Sequence, residues 1–160
     1  MTHSRLTPHS VVVIGVLALS PNLGWAHGKA QGIVLERHSA MSEIGDSTKI
    51  ISAMVRGKQT LDRDEMELNA ETIAEQAANI PSLFPDTEKS RGGAGNAALP
   101  SAWNKRERFE AIALKLARNA AELARMAATA TPAALKKQFR AIGSTCKSCH
   151  KDFRKKKAKH

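Results

Sequence analysis

Apolar residues in this 160-residue chain recur at intervals of three and four in four separate segments, and that periodicity restricts the fold more than any other feature. Ile33, Arg37, Ala40, Ile44, Thr48, Ile51 and Val55 form one stripe, ending near Gly57. Met66, Ala70, Ile73, Ala77 and Ile80 form a second, stopped by Pro81. Phe109, Ile112, Leu116, Leu123 and Met126 form a third, after Pro100 and a Ser101 cap. The fourth runs through Leu135, Phe139, Ile142, Cys146, Cys149 and Phe153, with Thr131 as N-cap and Pro132 in the first turn. No segment alternates as a strand does. Four amphipathic helices on one short chain predict an all-α, antiparallel up-down-up-down four-helix bundle.

The connection between the second and third helices, residues 81 to 101, holds Pro81, Pro85, Gly92, Gly93, Gly95 and Pro100. So long a loop is either mobile or packed over one end of a bundle. Aromatic residues make up only 4% of the chain, and the third helix is rich in alanine. A core of small and aliphatic side chains leaves room for something bulky and flat.

The first 26 residues read as an export signal. Arg5 and His9 precede an apolar run from Val11 to Leu19, and Gly24-Trp25-Ala26 supplies small residues for cleavage after Ala26. Nine apolar residues fall far short of the roughly 20 that a spanning helix needs. The expectation is a cleaved leader over 1–26, a single domain over 27–160, a periplasmic location and no membrane span. Of the chain's 25 Lys+Arg and 15 Asp+Glu, the leader holds Arg5 and no acid, so the remaining part carries +9. That field suits an acidic partner. The basic runs lack interleaved aromatics, so nucleic acid is not expected.

Two cysteines in an exported chain would ordinarily imply a disulfide. Here they stand as Cys146-Lys147-Ser148-Cys149-His150, the C-x-x-C-H pattern of covalent haem attachment. Two thiols at this spacing can each add to one porphyrin vinyl group, and the next residue can offer its imidazole to the iron. Cys146 and Cys149 would tether haem c and His150 would be the proximal ligand. A redox dithiol, a zinc site and a plain disulfide remain as lesser readings; zinc would need further ligands.

With these residues in view, the chain resembles the class II c-type cytochromes, which comprise cytochrome c-prime and low-spin relatives of the cytochrome c-556 type. The resemblance spans the chain beyond the leader. It rests on haem attachment near the C-terminus, on Arg37-His38-Ser39-Ala40-Met41, on Leu83-Phe84-Pro85 and Pro100-Ser101-Ala102-Trp103, and on Phe153-Arg154 after the attachment motif. It implies that the position four residues after Arg37 faces the distal side of the haem. That position is Met41, whose soft thioether sulfur can ligate iron and raise its potential.

The expected function is therefore periplasmic electron transfer by a six-coordinate, low-spin His150/Met41 haem. The alternative is a five-coordinate haem that binds NO or CO as sensor or scavenger. Met54 lies 13 residues on, about 220° round an ideal helix, and cannot share the position of Met41. His38, about 100° round from Arg37, is expected to face solvent. Arg37 interrupts an apolar stripe, and a haem propionate would offset its burial; the resemblance supports that role. Arg154, four residues after His150, is expected one turn along the same helical face, beside the haem. No acid–base pair or activated nucleophile is visible, so no enzymatic activity is expected. The partner is expected to be an acidic redox protein, and the resemblance allows a homodimer.

Overall fold

The computed structural model describes residues 30–156; residues 1–29, with the expected leader over 1–26, and the last four residues lie outside it. Four long helices form the bundle: α1 (Ile33–Val55), α2 (Arg63–Asn79), α5 (Arg106–Ala127) and α6 (Pro132–Phe153). Two short helices, α3 (Glu88–Gly92) and α4 (Ser101–Asn104), sit in the long connection, which begins with a 3-10 turn at Ile80–Leu83. Helix starts follow local chemistry. Asp62 caps α2 by accepting from the Glu65 amide, and Thr131 caps α6 by accepting from the Ala134 amide, each satisfying a donor the helix itself leaves open.

The packing is uneven. α2 and α5 form the most extensive contact, α5 with α6 and α1 with α2 pack well, and α1 meets α6 only sparingly. Met66, Ala70, Ile73, Ala77 and Ile80 are all buried, as the period of α2 predicts. In α1 the buried line is rotated slightly at its ends, so that Val34, Ser47 and Met54 go in while Ile33, Thr48 and Val55 remain half-buried. In α5, Ala113, Ala120, Ala124 and Ala127 are buried beside Phe109, Leu116 and Leu123. Small side chains there let the neighbouring helices approach closely.

Ser101 does not cap the third long helix. It opens the separate turn α4, and its hydroxyl donates to the Asp152 carbonyl at 2.7 Å; α5 begins only at Arg106, after a break at Lys105. The connection packs over one end of the bundle. Arg106 donates to the carbonyls of Phe84 at 2.7 Å and Pro81 at 2.9 Å, and Trp103 Nε1 donates to the Pro85 carbonyl at 3.1 Å. At Gly93 a Cβ would lie 2.8 Å from Val34 Cγ2 and 2.7 Å from the Lys89 carbonyl oxygen. Glycine there permits the loop to close on α1.

Candidate haem site

The two cysteines are half-buried on the inner side of α6, and Met41 is half-buried on α1. All three pack against the same apolar core. They belong to α1 and α6, which of the long helices that pack side by side touch least, so the weakest seam of the bundle is flanked by both thiols and the Met41 thioether. Cys146 and Cys149 are free thiols here.

Burial pushes both thiols up. Cys149 reaches about 11, through desolvation first and then the proximity of Cys146 and Asp152. Cys146 is raised by desolvation. Both are thus held as neutral thiols at physiological pH, and neither has the electropositive, thiolate-favouring setting of a redox dithiol. His150 is exposed at its edge, while partial burial of the ring and then the charge of Arg154 lower its pKa. A neutral imidazole is the form that ligates iron.

The end of α6 is held from outside. Arg154 is not helical: with φ −118° and ψ 135° it has left the helix, which stops at Phe153, and it pairs as an isolated bridge with Ala98. The expectation that Arg154 continues the helical face of His150 therefore fails. The cause is the loop, because the Leu99 amide donates to the Phe153 carbonyl at 2.8 Å and the Lys155 amide to the Ala97 carbonyl at 2.8 Å. The bonds from Leu99 and Ser101 satisfy the Phe153 and Asp152 carbonyls that the helix end leaves open, while that from Lys155 ties the following residues to the loop. Its exposed guanidinium nevertheless acts electrostatically on His150.

Arg37 is 4% exposed, as its place in the apolar stripe requires. Its burial is met by the chain itself. Nε donates to the Leu83 carbonyl at 2.5 Å, Nη1 to the Ser90 carbonyl at 2.9 Å, and Nη2 to the Ser90 hydroxyl. The guanidinium also lies 4.2 Å from the centroid of the Phe84 ring and 5.4 Å from that of Trp103. Desolvation lowers its pKa from the ordinary arginine value. Of the five N–H donors of a guanidinium, three are used in this way. Ser90, fully buried, is the partner that sequence reasoning missed. Its trace in the sequence is the Thr87-Glu88-Lys89-Ser90 turn, where Thr87 caps α3 by accepting from the Ser90 amide. His38 is exposed, as expected, with Nε2 3.2 Å from the Gly95 carbonyl oxygen.

Aromatic rings connect this clamp to the haem helix. Phe84 and Phe109 have centroids 4.7 Å apart, and Phe109 meets Phe153 edge-on at 5.2 Å. Phe153 is three residues after His150. Among the described residues no helix is long and apolar enough to cross a membrane, and no group of three or more His, Cys, Asp or Glu could hold a bare metal ion.

A family model described as Cytochrome C' matches residues 32–154. Cytochrome c' of Rhodopseudomonas palustris is 33% identical over 126 residues, covering 79% of this chain and 84% of that protein. Cytochrome c-556 of Agrobacterium fabrum is 30% identical over 129 residues, covering 80% and 84%. Among solved structures, cytochrome c' from Rhodopseudomonas palustris superposes with a TM-score of 0.73 at 31% identity, over 80% of this chain and 99% of that one. A nitric oxide complex of a variant of cytochrome c prime from Alcaligenes xylosoxidans superposes with a TM-score of 0.68 at 26% identity, over 78% and 94%. The helical bundle, the C-terminal pair of cysteines and these likenesses agree: the chain belongs to the cytochrome c' family of class II c-type cytochromes, and its cofactor is covalently attached haem c.

Proposed function

We propose that this protein is an exported haem protein whose haem is tethered by Cys146 and Cys149, ligated by His150, and left five-coordinate beneath Met41, so that its iron takes up NO or CO. The likeness to proteins named cytochrome c', one of them solved as a nitric oxide complex, supports this reading over the permanent His/Met ligation expected from the sequence. When bound, the haem would supply one-electron redox chemistry and an iron able to take up a diatomic gas. The chain supplies the rest. α6 holds the two thiols and the imidazole on adjacent turns, the loop latch at Phe153 keeps that helix end in place, and Met41 on α1 closes the other side of the seam. Arg37 and Arg154 contribute positive charge on the haem side of the molecule.

Met41 itself favours a second reading. A thioether at this position is a competent ligand, and relatives named cytochrome c-556 are of comparable similarity. In that case the protein is a six-coordinate electron carrier. Either way it is a carrier rather than an enzyme, exported to the periplasm by residues 1–26, which lie outside the described residues.

Optical spectra of the mature holoprotein, oxidised and reduced, with and without CO, separate the two. High-spin bands that shift on CO addition, little changed in Met41→Leu, are the expected result. Low-spin bands with a weak long-wavelength sulfur-to-iron band, indifferent to CO and lost in Met41→Leu, would overturn it in favour of electron transfer. Absence of covalently retained haem would overturn both.

A further inference from the structure

Charge in this bundle is segregated by helix. α6 carries Lys136, Lys137, Arg140, Lys147 and Lys151 against Asp152 alone, whereas α2 carries Asp64, Glu65, Glu67, Glu71 and Glu75 against Arg63 alone. Among the described residues, ion pairs involve Lys49, Arg91, Arg106, Arg108 and Arg125, and none of the α6 cations. Asp152 is engaged by Arg108 at 2.6 Å. The one acid of α6 is therefore already neutralised, and its cations are not.

These cations are not scattered round the helix. At 100° per residue, Lys137, Arg140, Lys147 and Lys151 fall within an arc of about 80°, on the side opposite the buried Leu135, Ile142 and Phe153. Between them the surface is low: Gly143, Ser144 and Ser148 are exposed, and a Cβ on Gly143 would meet nothing within 4 Å. A protein resting on this stripe is separated from the tethering cysteines by one helix thickness, about 10–12 Å.

We propose that the outer face of α6 is the docking surface for an acidic one-electron donor protein, which reduces the haem through the helix that holds it. This rests on the haem reading above and serves either coordination state, since gas capture by ferrous iron and electron carriage both require reduction. One electron leaves the donor and converts ferric to ferrous haem. The opposed charges of α6 and α2 orient an acidic partner before contact, attracting it to the haem helix and repelling it from the far side. Among the described residues, the exposed large apolar side chains, Leu35, Leu68 and Leu114, all lie on other helices. A bilayer would thus find no apolar side chain to take up on this face. A second copy pairing its α2 with this α6 would form a heterologous contact rather than a two-fold dimer, because α2 and α6 do not touch within one bundle.

The test uses mature holoprotein and fully reduced flavodoxin, an acidic flavoprotein, as donor, followed by stopped flow at low and high salt. Lys137→Gln/Arg140→Gln and Lys147→Gln/Lys151→Gln are compared with Lys58→Gln/Lys115→Gln, which removes equal charge elsewhere. The α6 pairs are expected to slow reduction by about tenfold at low salt and to flatten the salt dependence, while the control pair changes it less than twofold. A neutral free flavin as donor is expected to reduce all of them alike, which separates docking from any change at the haem. Equal slowing in every pair, or none, overturns the surface while leaving the haem reading intact. So does an unchanged flavodoxin rate with lost binding to phosphatidylglycerol vesicles, which would make the face a membrane contact. A chain that retains no haem overturns both.

Discussion

Arg37 on α1 holds Ser90 on α3 at two points, donating from Nη1 to its carbonyl at 2.9 Å and from Nη2 to its hydroxyl across 53 residues of sequence. Together with the bond to Leu83 and the stacking on Phe84, this makes one buried cation the anchor of the whole 80–92 segment. Met41 follows one turn later on the same helix. The clamp therefore bears on the placement of Met41 as well as on that of the loop.

Arg37→Met removes that anchor and leaves the Leu83 carbonyl and the Ser90 groups buried without a donor. A loss of about 1–3 kcal/mol in unfolding free energy is expected for each buried group so stranded. Urea denaturation of the holoprotein measures it. Arg37→Lys is expected to recover only part, because an ammonium cannot span the same fork of acceptors. Full recovery by lysine would show that charge alone matters.

The rings of Phe84, Phe109 and Phe153 couple the loop to the end of the haem helix. Phe109, 2% exposed and between the other two, is the member whose truncation opens the largest gap. Phe109→Ala is expected to cost about 3–5 kcal/mol, measured by thermal or chemical unfolding. A cost below 1 kcal/mol would mean that the cluster relaxes around the hole.

Removal of the haem is expected to loosen the molecule unevenly. In Cys146→Ser/Cys149→Ser the seam between α1 and α6, where we propose that the haem sits, would lose its filler, while the extensive α2–α5 contact stays. Native-state hydrogen exchange is the measurement. Amides of α1 and of the C-terminal half of α6 should lose protection first, and those of α2 and α5 last. Uniform loss along all four helices would contradict the unequal packing.

One acid response can be read from the loop. Arg91 hydrogen-bonds Asp86 and holds its carboxyl below the usual aspartate value, the bond itself being the main cause. A carboxylate with a depressed folded pKa stabilises the fold above its unfolded pKa, and that contribution disappears as pH falls through the folded pKa. The Asp86–Arg91 contact should thus persist at mildly acidic pH and break only below about pH 3.9. NMR titration of the Asp86 carboxyl carbon checks this, with a midpoint below that of a free aspartate expected in the wild type and a normal one in Arg91→Gln.

Much of this architecture follows from local pattern. The spacing of Met66, Ala70, Ile73, Ala77 and Ile80 is enough to bury that face, because a helix presents every third and fourth residue to one side whatever packs against it. The Thr131-Pro132 start is equally local, since a cap needs only its own next turn. The haem motif is local too, as two thiols and an imidazole within five residues carry their chemistry together.

What only the folded chain decides is long-range. That Ser101 holds the end of α6 rather than capping α5, and that Arg154 leaves the helix to pair with Ala98, depends on where a loop 50 residues away in sequence comes to rest. No period marks such contacts. The fate of Arg37 belongs here as well: the sequence by itself shows that a cation is buried and needs an acceptor, and the tertiary structure selects backbone carbonyls and Ser90 as acceptors. The physical reason is the same in each case: helical period and motif spacing are short-range properties of the backbone, whereas a buried polar group takes whichever partner the assembled bundle brings within reach.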